Sequence, residues 1–457
     1  LNERVTFYAW GFKINSNLSA GYYLSENFIR RALRWPVTAC NVWTIRRAGI
    51  FTALAAFLLF FFSAAALAGQ KGDIVLGMSG AFSGATRSLG IELYRGANAY
   101  FSKINEQGGI HGRKIRILAY DDGYNPGPAV QNTIKLIRED NVFCLFNYVG
   151  TPTTTRILPL LAKFSSRDIY LFCPFTGANP MRQPPYAEYV YNLRASYDQE
   201  IKALVDNFVR IGRKRIAVLH QVDAYGRGGW QGVKKALDEH DLNIVAEATY
   251  KRGAPFEKDF TPQVDILEAG DPDAIICIAS YAAAAGFIRD ARKENLDVPI
   301  ANISFVDSRR MLSLLRRAEK EDNADYTFNL VNSQVVPFYG SKKLPVVEEY
   351  KHCMLEYKPG LPEKFHCPDY DMQGFGAVSF EGFLNAKLVT ALLRKMGPDP
   401  ARGKIPRNMI RLLNVDLGLD ENIDFTPFKH QGLDKVYFIT FEEDRILPLR
   451  DFREVVR

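Results

Sequence analysis

From Asp73 onward, short unbroken apolar runs alternate with stretches whose apolar residues recur every three or four positions. Ile74–Met78, Ile115–Tyr120, Val142–Tyr148 and Ile169–Cys173 read as strands. Between them, Ile91–Ile104, with Ala97, Tyr100, Phe101 and Ile104 on one face, and Ala129–Arg138 read as helices. The rhythm pauses at Tyr186–Tyr197 and resumes. Helices at Gln199–Val209, Gly229–Glu239, Phe260–Glu268 and Ala282–Lys293 then alternate with strands at Arg215–His220, Ile244–Tyr250, Ala274–Ala279 and Ile300–Ile303. Unbroken apolar runs suit strands buried on both faces. Their alternation with helices predicts parallel sheets with right-handed crossovers, and the pause predicts two α/β lobes in series. A second pause near Tyr326–Pro337 leads into helices at about 343–357 and 374–395. The end of the chain reads as hairpins, with Val436–Phe441 and Arg445–Pro448 flanking a Glu442-Glu443-Asp444 turn.

The 457 residues are 47% hydrophobic and 24% charged, which excludes a disordered or collagen-like chain. At roughly 150 residues per domain the length suits two or three domains. Of the net charge of +7, residues 1–68 carry +5, so the remainder is nearly neutral and lacks the basic balance of a nucleic-acid binder. Arg46-Arg47, the uncharged run Ala48–Leu67 and the small-x-small site Ala66-Leu67-Ala68 follow the order of a secretory signal peptide, with Gly69 as the first mature residue. The alternative is a membrane anchor, because the run approaches the roughly 20 residues a span needs. No Met precedes Met78. Residues 1–41 are therefore expected to be upstream sequence read as protein, and 42–68 the signal peptide.

Motifs for catalysis are incomplete. Gly108–Lys114 lacks the G-K-[S/T] ending of a phosphate loop. Gly77-Met78-Ser79-Gly80-Ala81 lacks the last glycine of a nucleophile elbow, so Ser79 reads as part of a tight turn. Asp121-Asp122 end a strand before a Gly-Tyr-Asn-Pro turn and read as capping groups rather than metal ligands. His352-Cys353 and His366-Cys367 are matching pairs that could hold zinc. Neighbouring side chains project in different directions, however, and a secreted chain favours a Cys353–Cys367 disulfide, with two thiols as the other option. No enzyme, cofactor or metal site is expected.

What stands out lies just after the strands. Ser79–Gly84, with Phe82 and Ser83, follows the first; Gly150–Thr155 follows the third; Pro174–Ala178 follows the fourth. The second lobe adds Asp223–Gly226, Ser280-Tyr281 and Ser304–Asp307. In open α/β sheets, ligands sit outside the carboxyl ends of the strands. Hydroxyls and helix-start N–H groups there suit a carboxylate, and aromatic walls suit a small organic body. Each hydroxyl taken singly is at home as a helix N-cap; the set of loops carries the functional reading.

In order and spacing the chain resembles the type 1 periplasmic solute-binding proteins of ABC importers, the leucine/isoleucine/valine-binding kind. The carriers are DIVLGMSGAFSG, INEQGGIHGRKIRILAYDDGYNP, PFTGANPMR, YNLRASYDQE, IAVLHQVDAYGRGG, DAIICIASY and HQGLDKVYFITF, spread over about 73–450. The resemblance implies an α/β fold of two Rossmann-like lobes joined by a three-stranded hinge, with the ligand in the interlobe cleft. Lobe 1 is expected at 71–193 plus 337–410, and lobe 2 at 194–336 plus 411–457. It implies that Thr151, Thr153, Thr176 and Gly177 bind a carboxylate, while Tyr197, Tyr225, Ser280, Tyr281 and Phe305 enclose the rest. Amino-acid binders of this kind place a Glu after the strand that here ends near Ile303, and this chain has Ser304-Phe305-Val306 instead. That departure puts an amine-free carboxylate beside an amino acid as the expected ligand, with Asp198 or Asp307 as the groups that could hold an ammonium. The implied partners are the small carboxylate solute and inner-membrane permease subunits. The implied setting is the periplasm. A ligand-binding sensory module working with a separate receptor is the alternative.

Overall fold

The computed structural model describes residues 72–365, 367–368 and 370–456. The proposed leader, its cleavage site and the upstream segment lie outside the described residues.

The first sheet holds β1 (Ile74–Gly80), β2 (Ile115–Asp121), β3 (Cys144–Phe146), β4 (Leu171–Phe172) and β5 (Val190–Tyr191), all parallel, in the order β2-β1-β3-β4-β5. The crossovers are α1 (Arg87–Glu106), α2 (Pro126–Arg138) and α3 (Thr151–Lys163). After β5 the chain enters α4 (Tyr197–Arg210) through a Ser196/Gln199 capping box, which satisfies two orphan donors at the helix start. It then builds β6 (Ile216–Gln221), α5 (Ala224–Asp238), β7 (Glu247–Tyr250), α6 (Thr261–Glu268), β8 (Ala274–Ile278), α7 (Tyr281–Lys293), β9 (Ile300–Asn302), α8 (Ser308–Asp322) and β10 (Leu330–Gln334). The chain returns to the first lobe as α9 (Pro345–Tyr357), α10 (Ala377–Met396) and α11 (Ile405–Met409), then comes back as the hairpin β11 (Tyr437–Glu442) and β12 (Arg445–Leu449). The second sheet runs β12-β11-β10-β9-β8-β6-β7, antiparallel only through the hairpin.

The apolar runs behave as their pattern demands. Every residue of β8 (AIICI) is buried, because helices cover both faces of the sheet. Helix α1 packs against α10 at close range. A Cβ on Gly96 would lie 1.7 Å from the Ser379 carbonyl oxygen, and one on Gly382 would lie 2.2 Å from that of Leu93, so small residues set the helix separation. Between the lobes, two crossing segments pair as parallel chain. Asn192 N–H donates to His430 O at 2.8 Å, Gly432 N–H to Asn192 O at 2.9 Å, and Leu433 N–H to Leu193 O at 2.7 Å. The segment after Gln334 is the other crossing. In both sheets the strand order reverses beside the first strand of the lobe, next to β1/β3 and β6/β8. The carboxyl ends of those strands point their loops at the cleft.

Candidate interlobe ligand site

Thr151 opens α3, whose N-cap is Gly150 at φ +90, a left-handed conformation that favours glycine. A Cβ there would also strike the Tyr124 ring at 2.1 Å, so glycine lets that ring lie across the helix start. The Thr151 and Thr176 hydroxyls meet at 2.8 Å, both buried, joining the loops after β3 and β4. Thr153 is turned the other way. Its hydroxyl donates back to the Val149 carbonyl and to that of Gly150 at 2.9 Å, the common use of Thr in a first helical turn. Gly177 O accepts from Tyr197 N–H at 2.8 Å, which ties the binding loop to the start of α4.

From the second lobe, Phe305 inserts among rings of both lobes. Its centroid lies 4.7 Å from Tyr225, 5.6 Å from Tyr124 and 5.9 Å from Phe175, and Tyr225 lies 5.5 Å from Tyr197. All five rings are buried. Burial raises the Tyr124, Tyr197 and Tyr225 hydroxyls above their usual range, so they stay neutral and able to donate. Tyr225 donates to Ala279 O at 3.1 Å, and Gln221 Nε2 reaches the Tyr124 hydroxyl at 3.2 Å across the lobes. Ser280 is buried with its N–H on the Tyr250 hydroxyl at 2.9 Å, and its Oγ has no hydrogen-bond partner. Tyr281 follows it into α7, also buried.

Arg194, on the hinge between β5 and α4, is 1% exposed. Its guanidinium lies 4.3 Å over the Phe175 ring and 6.0 Å from that of Tyr197, and Nη2 donates to Ser304 Oγ. Nε is 3.4 Å from Glu381 Oε1, and Nη1 has no hydrogen-bond partner. Burial pushes the Glu381 carboxyl up to about 7, against the pull of Arg194. The sequence reading passed over Arg194, Tyr124 and Phe175, although each stands inside a segment that carries the resemblance.

Other expected site residues sit outside this group. Phe82 stacks on Phe365 at 4.2 Å, and its N–H donates to Asp121 Oδ1 at 2.8 Å, while Ser83 is exposed. Asp307 accepts from Ser88 Oγ and from Gln373 Nε2 at 2.9 Å, and caps α8. Asp198 borders an open cavity of about 410 Å³ that reaches inward to Thr151 and Tyr197, where Asn179 and Lys235 hold it at 3.1 and 3.5 Å.

Residues 73–445 match the periplasmic binding protein family. The chain belongs to that family. It is similar to an amino acid binding protein of Pseudomonas aeruginosa, 27% identical over 225 residues, 49% of this chain and 58% of that one. It is also similar to the Leu/Ile/Val-binding protein of Escherichia coli, 26% identical over 239 residues, 51% of this chain and 63% of the other. The matched stretch thus spans about three fifths of these curated relatives. Among solved structures, a possible leucine/isoleucine/valine-binding protein from Rhodopirellula baltica SH 1 superposes with a TM-score of 0.73 at 28% identity, covering 85% of this chain and 98% of that one.

In the structure Cys353 and Cys367 are not joined to each other. Cys353 is buried on α9 with its thiol pushed up to about 11 by burial, and the Cys367 sulfur accepts from Arg87 Nη1 at 3.0 Å. No group of three His, Cys, Asp or Glu among the described residues could hold a metal ion. Asp121 and Asp122 serve the loop after β2. Asp121 accepts from the N–H groups of Phe82, Ser83 and Gly123, and Asp122 from Ser79 Oγ at 2.7 Å and Tyr124 N–H at 2.9 Å.

Proposed function

We propose that this protein is the periplasmic substrate-binding component of an ABC importer, taking a small carboxylate-bearing solute between its lobes and presenting the closed form to inner-membrane permease subunits. The observation that carries the reading is the Thr151/Thr176 hydroxyl pair at the start of α3, beside Phe175, whose ring lies 5.9 Å from Phe305 of the opposite lobe. A helix start offers unpaired N–H donors and a favourable dipole to an anion. The rings of Phe175, Tyr225 and Phe305 supply apolar contact to the body. A solute that touches both lobes binds the closed state better than the open one and so shifts the hinge equilibrium toward closure. In this reading the protein performs no chemistry on its solute. The signal peptide directs export and is removed after Ala68, so the mature chain begins at Gly69.

The test is a thermal-shift screen of amino acids, aromatic acids and branched short-chain acids on the mature protein. A ligand at a hundredfold excess over its Kd adds roughly 2.7 kcal/mol by mass action. At least one carboxylate should raise the melting temperature. A screen in which only uncharged solutes do so would overturn the reading.

A further inference from the structure

The acids near the ring group each have a partner, Glu381 being ion-paired with Arg194 at 3.4 Å. Glu200 accepts from Ser304 N–H at 2.8 Å, Ser304 Oγ at 2.8 Å and Ser333 Oγ at 2.6 Å. Asp223 caps α5 and accepts from Gln221 Nε2 at 2.6 Å. Asp122 is held by Ser79 and Tyr124, Asp307 by Ser88 and Gln373, and Asp198 by Asn179 and Lys235 at the rim. The ring of Phe305 lies beside those of Tyr124, Phe175 and Tyr225, so what the second lobe presents here is apolar. An ammonium brought here would lose its water without gaining a counter-charge.

The opposite holds for an anion. Arg194 is 1% exposed, lies against Phe175 and Tyr197, and keeps Nη1 without a hydrogen-bond partner. A buried guanidinium donor left unmade is costly, and a carboxylate oxygen is the acceptor its planar fork fits. Glu381, its only ion-pair partner among the described residues, approaches Nε at 3.4 Å without hydrogen-bond alignment.

We propose that the cleft selects carboxylates that lack an α-ammonium and carry an aryl or branched alkyl body, with Arg194 as the charge partner of the carboxylate. This deepens the binding function proposed above and rests on it. The carboxylate spans the Thr151/Thr176 hydroxyls and the Arg194 fork, and the body lies against Phe175, Tyr225 and Phe305.

The experiment is calorimetric titration of the full mature chain with two ligand pairs that differ only in the α-amino group: 3-phenylpropanoate against L-phenylalanine, and 4-methylpentanoate against L-leucine. The amine-free member of at least one pair should bind tenfold tighter or more. Arg194→Lys keeps the charge but loses the fork, and should weaken that ligand at least tenfold while the variant stays folded. Amino acids that bind as tightly as their amine-free partners in both pairs overturn the proposal, as does a folded Arg194→Lys that binds like wild type. If Arg194→Lys does not fold, the pairs measured on wild type decide alone. Binding of neither member of either pair also counts against it. If the screen then finds another carboxylate, the binding function stands and this inference falls; if it finds none, both fall.

Discussion

Replacing Phe305 by Ala separates closure from folding. Its ring is fully buried and has three ring neighbours, of which Tyr124 and Phe175 belong to the first lobe and Tyr225 to its own. A buried Phe→Ala change costs about 3–5 kcal/mol. Two of the three ring contacts cross the cleft, so about half of that loss, about 2 kcal/mol, falls on closure. At about 1.4 kcal/mol per decade this lowers the closed-to-open ratio roughly thirtyfold. The remainder falls within the second lobe and lowers the melting temperature of the ligand-free chain slightly. Calorimetric titration with the best carboxylate should show affinity weakened on the order of thirtyfold. Small-angle scattering at a fixed ligand concentration that saturates wild type should show a larger radius of gyration for the variant. A folded Phe305→Ala that binds within threefold of wild type, with an unchanged radius, would refute the reasoning.

Thr176→Val removes the hydroxyl that meets Thr151 at 2.8 Å; a hydroxyl on a charged oxygen is worth roughly 1.5–3 kcal/mol, so titration should show at least tenfold weaker carboxylate binding by a chain that still folds. Burial holds Glu381 at about 7, above its unfolded value, so the folded chain keeps that proton more tightly and the group's contribution to stability falls as pH rises from the ordinary Glu range to neutrality. The stability of Glu381→Gln relative to wild type should therefore rise between about pH 4.5 and pH 7 in denaturant titrations, and a constant difference would refute this. Peptide mapping without reductant, after alkylation in denaturant, should recover Cys353 as a modified thiol, and a disulfide-linked Cys353 peptide would refute this.

The alternation of apolar runs and amphipathic stretches made the parallel sheets legible, because strands such as β8 are buried on both faces and show it in composition. Two helices escaped that pattern for physical reasons, and one strand, inside the extended run read at Tyr326–Pro337, carries no apolar signature of its burial. Helix α3 begins in Thr151-Pro152-Thr153-Thr154-Thr155 and contains Pro159, a composition that reads as loop; Gly150 at positive φ and packing of Ile157, Leu158 and Leu161 make it a helix. Helix α8 is dense in charge, so its stripe of Met311, Leu312 and Leu315 is diluted by Arg and Glu neighbours. Strand β10 is Leu-Val-Asn-Ser-Gln, buried yet polar, because Ser333 serves Glu200 and Asn332 pairs with Asn302.

The candidate site divides the same way. Loops after strands are visible in sequence, and the structure pairs Thr151 with Thr176 and Tyr225 with Phe305. Whether a hydroxyl faces the cleft or its own helix is not visible, as Thr153 shows. Nor is the burial of Arg194, which depends on residues as distant as Ser304 and Glu381.

The measurement that bears most directly on the account is calorimetric titration of the mature chain with its best-ranked carboxylate and with the methyl ester of the same compound. The account predicts one site per chain for the carboxylate and at least tenfold weaker binding of the ester, because the ester offers no charged oxygen to the helix start and the threonine hydroxyls. Equal affinities for the two would contradict it.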